Sequence, residues 1–161
     1  MPTVRLSFSP APAHVRTARL VGVAVARRAG VAEELLEEVR LAIGEACSRA
    51  VALHRSHGLD ALVDVAMADG DRFTVRVVDR AANGATVSRE PQDEAVVLLS
   101  DPALPLTTPP DLLAEEAVAA RMGLALLAGL VDDLSVSELS EGVGTEVRMS
   151  WPLEHPGDRP A

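Results

Sequence analysis

The stretch VAEELLEEVRLAIGEACSRAVALH, residues 31–54, decides the fold of this chain. Its apolar residues recur at intervals of three and four, the spacing that places side chains on one face of an α-helix. This stripe consists of Val39, Ile43, Ala46, Ala50 and Leu53. We therefore predict one long helix from about residue 31 to about residue 57, ended by Gly58. Glu45 and Arg49 stand four residues apart within it, so they share one helix face.

The composition is typical of a single soluble domain. The chain has 161 residues, of which 48% are apolar, enough for one packed core. Its net charge of −9 argues against direct binding to nucleic acid, which needs a positive surface. All fifteen basic residues are arginine, which we interpret as the codon bias of a GC-rich bacterium. The lone Cys47 precludes an internal disulfide and fits a cytoplasmic protein, and we expect neither a signal peptide nor a membrane-spanning segment.

The segments before and after the long helix predict further strands and helices. TVRLSFS near the N-terminus alternates apolar and polar residues, as a half-buried strand does. The next segment predicts a helix that ends at Gly30. Its expected apolar stripe is Val15, Leu20, Val23 and Val25. Two more alternating segments surround D-G-D, residues 69–71, a hairpin signal.

The second half of the chain begins with a proline-rich segment, residues 81–112, which predicts a long loop. A helix with Asp111 as its cap follows, and its apolar face is predicted to include Met122, Leu124 and Leu127. Two strands, DLSVSEL and TEVRMSW, complete the order.

This order predicts an α+β fold, a two-layer α/β sandwich. The sheet is expected to be mixed but mostly antiparallel, with the helices on one of its faces. We expect one domain at residues 1–152 and a flexible C-terminal tail at 153–161.

Four segments, in order, carry a resemblance to a known family. They are LLEEVRLAIGEACSRAV, FTVRVVDRAANG, RMGLALLAGLVDDLSV and GVGTEVRMSW. Together they resemble the anti-sigma-factor serine kinases of bacteria, which have the Bergerat fold of the histidine-kinase-like ATPases. The resemblance spans roughly residues 4–151, and it implies the α+β sandwich described above.

The first motif of that family has a Glu that activates the attacking hydroxyl and, four residues later, an Asn that holds Mg²⁺. Here the Glu matches Glu45, which the resemblance makes the catalytic base, but the Asn is replaced by Arg49. A guanidinium has donors and no acceptor, so it cannot ligate a cation. Two interpretations stay open. Arg49 forms a helix-face ion pair with Glu45, stabilising by about 0.5 kcal/mol or less, or it meets phosphate directly.

The second motif is Asp-x-Gly-x-Gly, in which the Asp accepts a hydrogen bond from adenine. Here Asp79 is kept, while Ala81 and Asn83 replace the glycines. The resemblance implies that Asp79 is the adenine contact, and that the Ala81 methyl intrudes where the base should enter. The alternative is that Asp79 is only a polar strand end before a turn.

The third and fourth motifs complete the implied nucleotide site. The family's Gly-x-Gly-Leu, whose amides cradle phosphate, is here Arg121-Met122-Gly123-Leu124, so one glycine has become Arg121. The fourth is Gly144-Thr145, in which the family's Thr supports the adenine-binding Asp. A Gly-Thr pair also commonly begins a strand.

The remaining polar residues predict no metal site. His54 and His57 lie close together and His14 is distant, but no Cys or carboxylate cluster completes a ligand set. We interpret these histidines as partly exposed helix residues. The acidic residues from Glu33 to Glu38 are expected to form a solvated face near the start of the long helix.

Three functions compete. We favour a regulatory protein that binds a sigma factor or a STAS-domain anti-anti-sigma factor and has impaired or lost ATP chemistry, with Mg²⁺ not bound in the usual way. The second is an active ATP-dependent kinase that phosphorylates a serine of a STAS-domain protein. The third is a domain that binds another ligand in the same pocket. The resemblance also implies a homodimer; neither nucleic acid nor membrane is an expected partner.

Overall fold

The computed structural model describes residues 3–82 and 122–154. Residues 83–112 of the predicted loop, which include Asp111, and residues 155–161 of the tail lie outside the described residues. The strands are β1 (Thr3–Phe8), β2 (Val63–Asp69), β3 (Arg72–Asp79), β4 (Asp133–Glu138) and β5 (Thr145–Pro152). The helices are α1 (Pro12–Ala29), a 3-10 turn (Glu33–Leu35), α2 (Leu36–Ser56) and α3 (residues 122–130).

The five strands form one sheet in the order β1-β2-β3-β5-β4. The four neighbouring pairs are all antiparallel, so the α+β prediction is confirmed, but the described strands contain no parallel pair to make the sheet mixed. β1 and β2 are antiparallel neighbours in the sheet, although two helices lie between them in the chain. The predicted hairpin is confirmed, since β2 ends at Asp69 and β3 begins at Arg72.

Helix α1 ends as predicted but buries a different stripe. Gly30 has a φ of 100°, and its N–H donates to the carbonyl oxygens of Ala26 and Arg27, as a left-handed helix end requires. The buried residues are Val15, Ala18, Gly22 and Ala26. The prediction that Leu20 is on the buried face was wrong, because its side chain is 62% exposed. The buried stripe of α1 contains small residues because α2 packs closely against it. A Cβ on Gly22 would lie only 2.3 Å from Ile43 of α2.

Helix α2 is the centre of the helical layer. All five predicted stripe residues are buried, four of them completely. Residues on the same side of β2, β3 and β5 form the matching layer of the core, as the alternating burial of these strands requires. Trp151 of β5 is buried, and its indole N–H donates to Glu38 of α2 over 2.8 Å. This bond fixes the first turn of α2 to the sheet.

Glu33, Glu34 and Glu37 near that turn are exposed, as the predicted solvated face requires, whereas Glu38 is partly buried. Besides the Glu38 contact, Glu33 accepts a hydrogen bond from Arg27, and Glu37 accepts one from Arg40.

Among the described helices, none is long and apolar enough to cross a membrane.

Candidate functional site

The candidate site lies where the second half of α2 meets the end of β3, the start of β5 and the first described residues of α3. Asp79 and Thr145 are direct partners across the β3–β5 pair. A Cβ on Gly123 of α3 would lie 3.0 Å from Oε2 of Glu45 and 4.0 Å from Cβ of Arg49. The fold therefore brings together residues from all four motifs. Asn83 and Arg121 lie outside the described residues.

A buried ion pair in the site joins Arg49 to Asp79. Nη1 of Arg49 donates to Oδ2 of Asp79 over 3.0 Å, and the two side chains are 2% and 1% exposed. Oδ1 of Asp79 accepts from the backbone N–H of Ala81, also over 3.0 Å. Burial lowers the pKa of the Arg49 guanidinium, while the charge of Asp79 opposes this shift. The carboxylate implied to receive adenine is thus bonded to the residue that replaced the metal ligand.

Glu45 does not form the expected pair with Arg49. Its carboxylate is half-buried, and among the described residues it forms no hydrogen bond or ion pair. The helix-face interpretation of Arg49 was therefore wrong. Arg49 pairs instead with the buried Asp79, thirty positions along the chain. Glu45 remains a carboxylate beside Gly123 with its lone pairs available to a ligand.

Thr145 contributes a buried hydroxyl with no partner. Its side chain is 1% exposed, and Oγ1 lacks a hydrogen bond within the described part of the protein. Leaving a buried hydroxyl unsatisfied costs about 1–3 kcal/mol, so this position favours a water molecule or a polar ligand atom. The buried hydroxyl of Thr145 is therefore suited to bind a polar atom of a ligand.

Gly144 has a structural role in this site. Its φ is 140°, and a Cβ there would lie 2.0 Å from the backbone oxygen of Asp79. The absence of a side chain therefore lets β5 begin against the end of β3. This close approach sets the pairing of Asp79 with Thr145.

Ala81 and Leu124 are packing residues here. Ala81 is 1% exposed and lies in a small apolar cluster with Leu53, so its methyl is part of the packed interior. Leu124 and Leu127 are buried in the main core, as predicted. Met122 is not, because 64% of it is exposed.

His54 was wrongly predicted to be partly exposed. It is completely buried, and its Nε2 accepts the backbone N–H of Arg80 over 2.8 Å. Its Nδ1 faces the carbonyl oxygen of Ala61 at 2.8 Å, so Nδ1 carries the proton and the ring is neutral. His54 thus joins the end of α2 to the segment after β3. Its position four residues after Ala50, in phase with the apolar stripe, is the signal that could have revealed its burial. His14 and His57 are exposed.

Cys47 is an inert part of the same helix. Burial raises the pKa of its thiol to about 12, so the reactive thiolate is scarce at neutral pH.

The comparison with protein families agrees with this architecture. The family model of the histidine kinase-like ATPase domain matches residues 8–151, most of the chain. The protein belongs to the histidine kinase-like ATPase family. Among curated proteins, no match is found.

The site does not fit the magnesium-bound nucleotide that the family resemblance implies. Mg²⁺ needs hard oxygen ligands, and Arg49 brings a positive charge to the metal-binding position. Within residues 3–82 and 122–154 there is no cluster of three His, Cys, Asp or Glu side chains able to hold a metal. The adenine end retains Asp79 and the unpartnered hydroxyl of Thr145, although Arg49 and the Ala81 N–H already bind the Asp79 carboxylate.

Proposed function

We propose that this protein is a regulatory binding protein of the anti-sigma-factor type in the bacterial cytoplasm. It retains the histidine kinase-like ATPase fold as a scaffold, and its ATP chemistry is impaired or lost. Its partner is a sigma factor or a STAS-domain anti-anti-sigma factor. As in the family it resembles, it forms a homodimer.

The observation that supports the loss of ATP chemistry is the buried Arg49–Asp79 ion pair. Binding of adenine to Asp79 would have to compete with a guanidinium that is already 3.0 Å away. Breaking a buried ion pair costs about 3–5 kcal/mol. The triphosphate would in addition lack the divalent ion that normally neutralises it. The two effects act against productive binding at both ends of the nucleotide.

Calorimetry with ATP, with and without Mg²⁺, tests this proposal. We expect no binding at micromolar ATP and no effect of Mg²⁺. Micromolar binding that requires Mg²⁺ would contradict the proposal. The informative variant is Arg49→Asn, which restores an oxygen ligand and should raise the affinity for Mg·ATP. Arg40→Asn, on the exposed side of α2, is the matched control and should change nothing.

A second candidate function is an active serine kinase, and the Glu45 carboxylate, which is unbonded within the described part of the chain, favours it. Glu45 would take the proton of the attacking serine hydroxyl while Gly123 contributes to phosphate binding. The test is transfer of labelled phosphate from Mg·ATP to a STAS-domain protein. Transfer that is lost in Glu45→Gln would establish this function and remove the first one.

The partner is identified by recovery from the native cytoplasm. The tagged protein should retain a sigma factor or a STAS-domain protein, with equal yield whether ATP is present or not. Light scattering of the purified protein tests the homodimer. Should neither partner be retained, a thermal-shift panel of nucleotides and anions tests the third possibility, another ligand in the pocket.

A further inference from the structure

The two faces of the sheet differ in chemistry. The helices cover one face, and the opposite face, called here the open face, presents the alternate residues of each strand. A groove of about 540 Å³ lies on it. Its floor is made of the small side chains of Ala66 and Ala68, and four arginines line it: Arg5, Arg72, Arg76 and Arg148. All four are exposed.

The strand register aligns three of these arginines in one row, called here the basic row. Arg5 is paired with Ala66, Ala66 with Arg76, and Arg76 with Arg148. Arg76 and Arg148 therefore stand directly opposite each other on adjacent strands, an arrangement of like charges that destabilises a sheet. Neighbouring strands are about 4.8 Å apart, so the row spans about 14 Å.

The basic row is poorly neutralised. Arg5 and Arg148 form no hydrogen bond or ion pair with any described residue, and Arg76 reaches Glu146 only at 4.0 Å. Arg72, by contrast, donates to Ser150 and lies 3.6 Å from Asp133. The basic row thus holds three positive charges with one weak ion pair, that of Arg76 with Glu146, on a protein whose net charge is −9.

The chemistry of the open face favours an acidic protein segment over a nucleic acid. Guanidinium groups bind carboxylates in a bidentate manner, and the small alanine floor leaves room for a backbone. Single-stranded nucleic acid would in addition need aromatic side chains for stacking. The aromatic residues of the whole chain are Phe8, Phe73 and Trp151, and all three pack against the core on the opposite face.

We propose that the open face is a docking surface for an acidic segment of a partner protein, bound through Arg5, Arg76 and Arg148. This surface is separate from the candidate nucleotide site, and the proposal stands whether or not that site binds ATP.

The test is fluorescence anisotropy with a labelled peptide of alternating Asp and Ser residues. We expect saturable binding that weakens with salt and falls by about tenfold or more in the double variant Arg76→Thr/Arg148→Thr. The control, Arg16→Ala/Arg28→Ala, removes the same charge from exposed positions of α1 and should weaken binding by less than about twofold. Equal losses in the two variants, or no saturable binding, would overturn the proposal.

Two further measurements complete the test. Amide chemical shifts on peptide binding should change at Ala66, Thr74 and Arg76, and changes confined to α1 or α2 would contradict the assigned surface. The same titration with a single-stranded oligonucleotide should give weaker binding. A tighter complex with the oligonucleotide would assign the face to nucleic acid and reject the acidic peptide. The thermal unfolding of each variant establishes that it is folded.

Discussion

Arg49 of α2 and Asp79 at the end of β3 form a buried ion pair that connects the helical layer to the sheet. The pair lies inside the candidate site. It therefore holds the site in shape and also fills part of it. The two charges lie 3.0 Å apart, and little solvent reaches either side chain.

Removing one member of this pair should destabilise the protein strongly. We expect Arg49→Met and Asp79→Leu each to lower the free energy of unfolding by about 3–5 kcal/mol, since each removes one partner of a buried ion pair. The double variant should be far less destabilised than the sum, and urea denaturation in a double-mutant cycle measures this coupling. Additive losses would mean that the two charges do not compensate each other.

Gly144 is a second residue of the candidate site whose substitution should destabilise the protein. Gly144→Ala should cost about 3 kcal/mol or more, because the new Cβ would lie 2.0 Å from the backbone oxygen of Asp79. Gly142→Ala is the matched control. Its φ of 83° is also left-handed but nothing lies near its Cβ position, so we expect about 1–2 kcal/mol. Denaturant unfolding compares the two, and equal costs would contradict the proposed close approach.

Cys47 should make the protein sensitive to alkali. Burial raises the thiol pKa from 9.0 to about 12, so between these values the unfolded chain loses a proton that the folded chain retains. Stability should therefore be full below pH 9 and decrease as the pH rises towards 12. The chain has no Lys and no Tyr, so Cys47 is the side chain whose ordinary titration falls in this window.

The measurement is the midpoint of urea denaturation against pH. Cys47→Ala should lose part of the alkaline slope, and the native thiol should react with a disulfide reagent at pH 8 only as fast as the protein opens. Rapid labelling of the folded protein would show that Cys47 is accessible.

The like charges of the basic row should destabilise the folded protein. Arg148→Thr removes the like charge opposite Arg76 and adds a good strand residue, so we expect a gain of about 0.5 kcal/mol at low salt. The gain should shrink in high salt, where the repulsion is screened. Thermal unfolding at two salt concentrations checks this, with Arg28→Ala of α1 as the control. A loss of stability at both concentrations would mean that Arg148 makes a favourable contact.

Local signals predicted most of the fold and only part of the site. The stripe of α2, the hairpin at residues 69–71 and the glycine end of α1 depend on neighbours in sequence, and all were confirmed. Leu20 and Met122 were misplaced because close packing, and not hydrophobicity alone, decides which face of a helix is buried.

The contacts of the site depend on the tertiary fold. Arg49 has an acidic residue four positions away and bonds to one thirty positions away, which no periodicity predicts. The basic row needs the register of four strands, information that a single sequence does not contain.

The bond between Trp151 and Glu38 has a practical consequence. The chain has one tryptophan and no tyrosine, so its ultraviolet emission comes from a single indole whose N–H is held by a carboxylate. Detachment of α2 from the sheet would expose that indole to water and shift its emission to longer wavelength. The protein therefore contains an intrinsic optical reporter of the docking between its two layers.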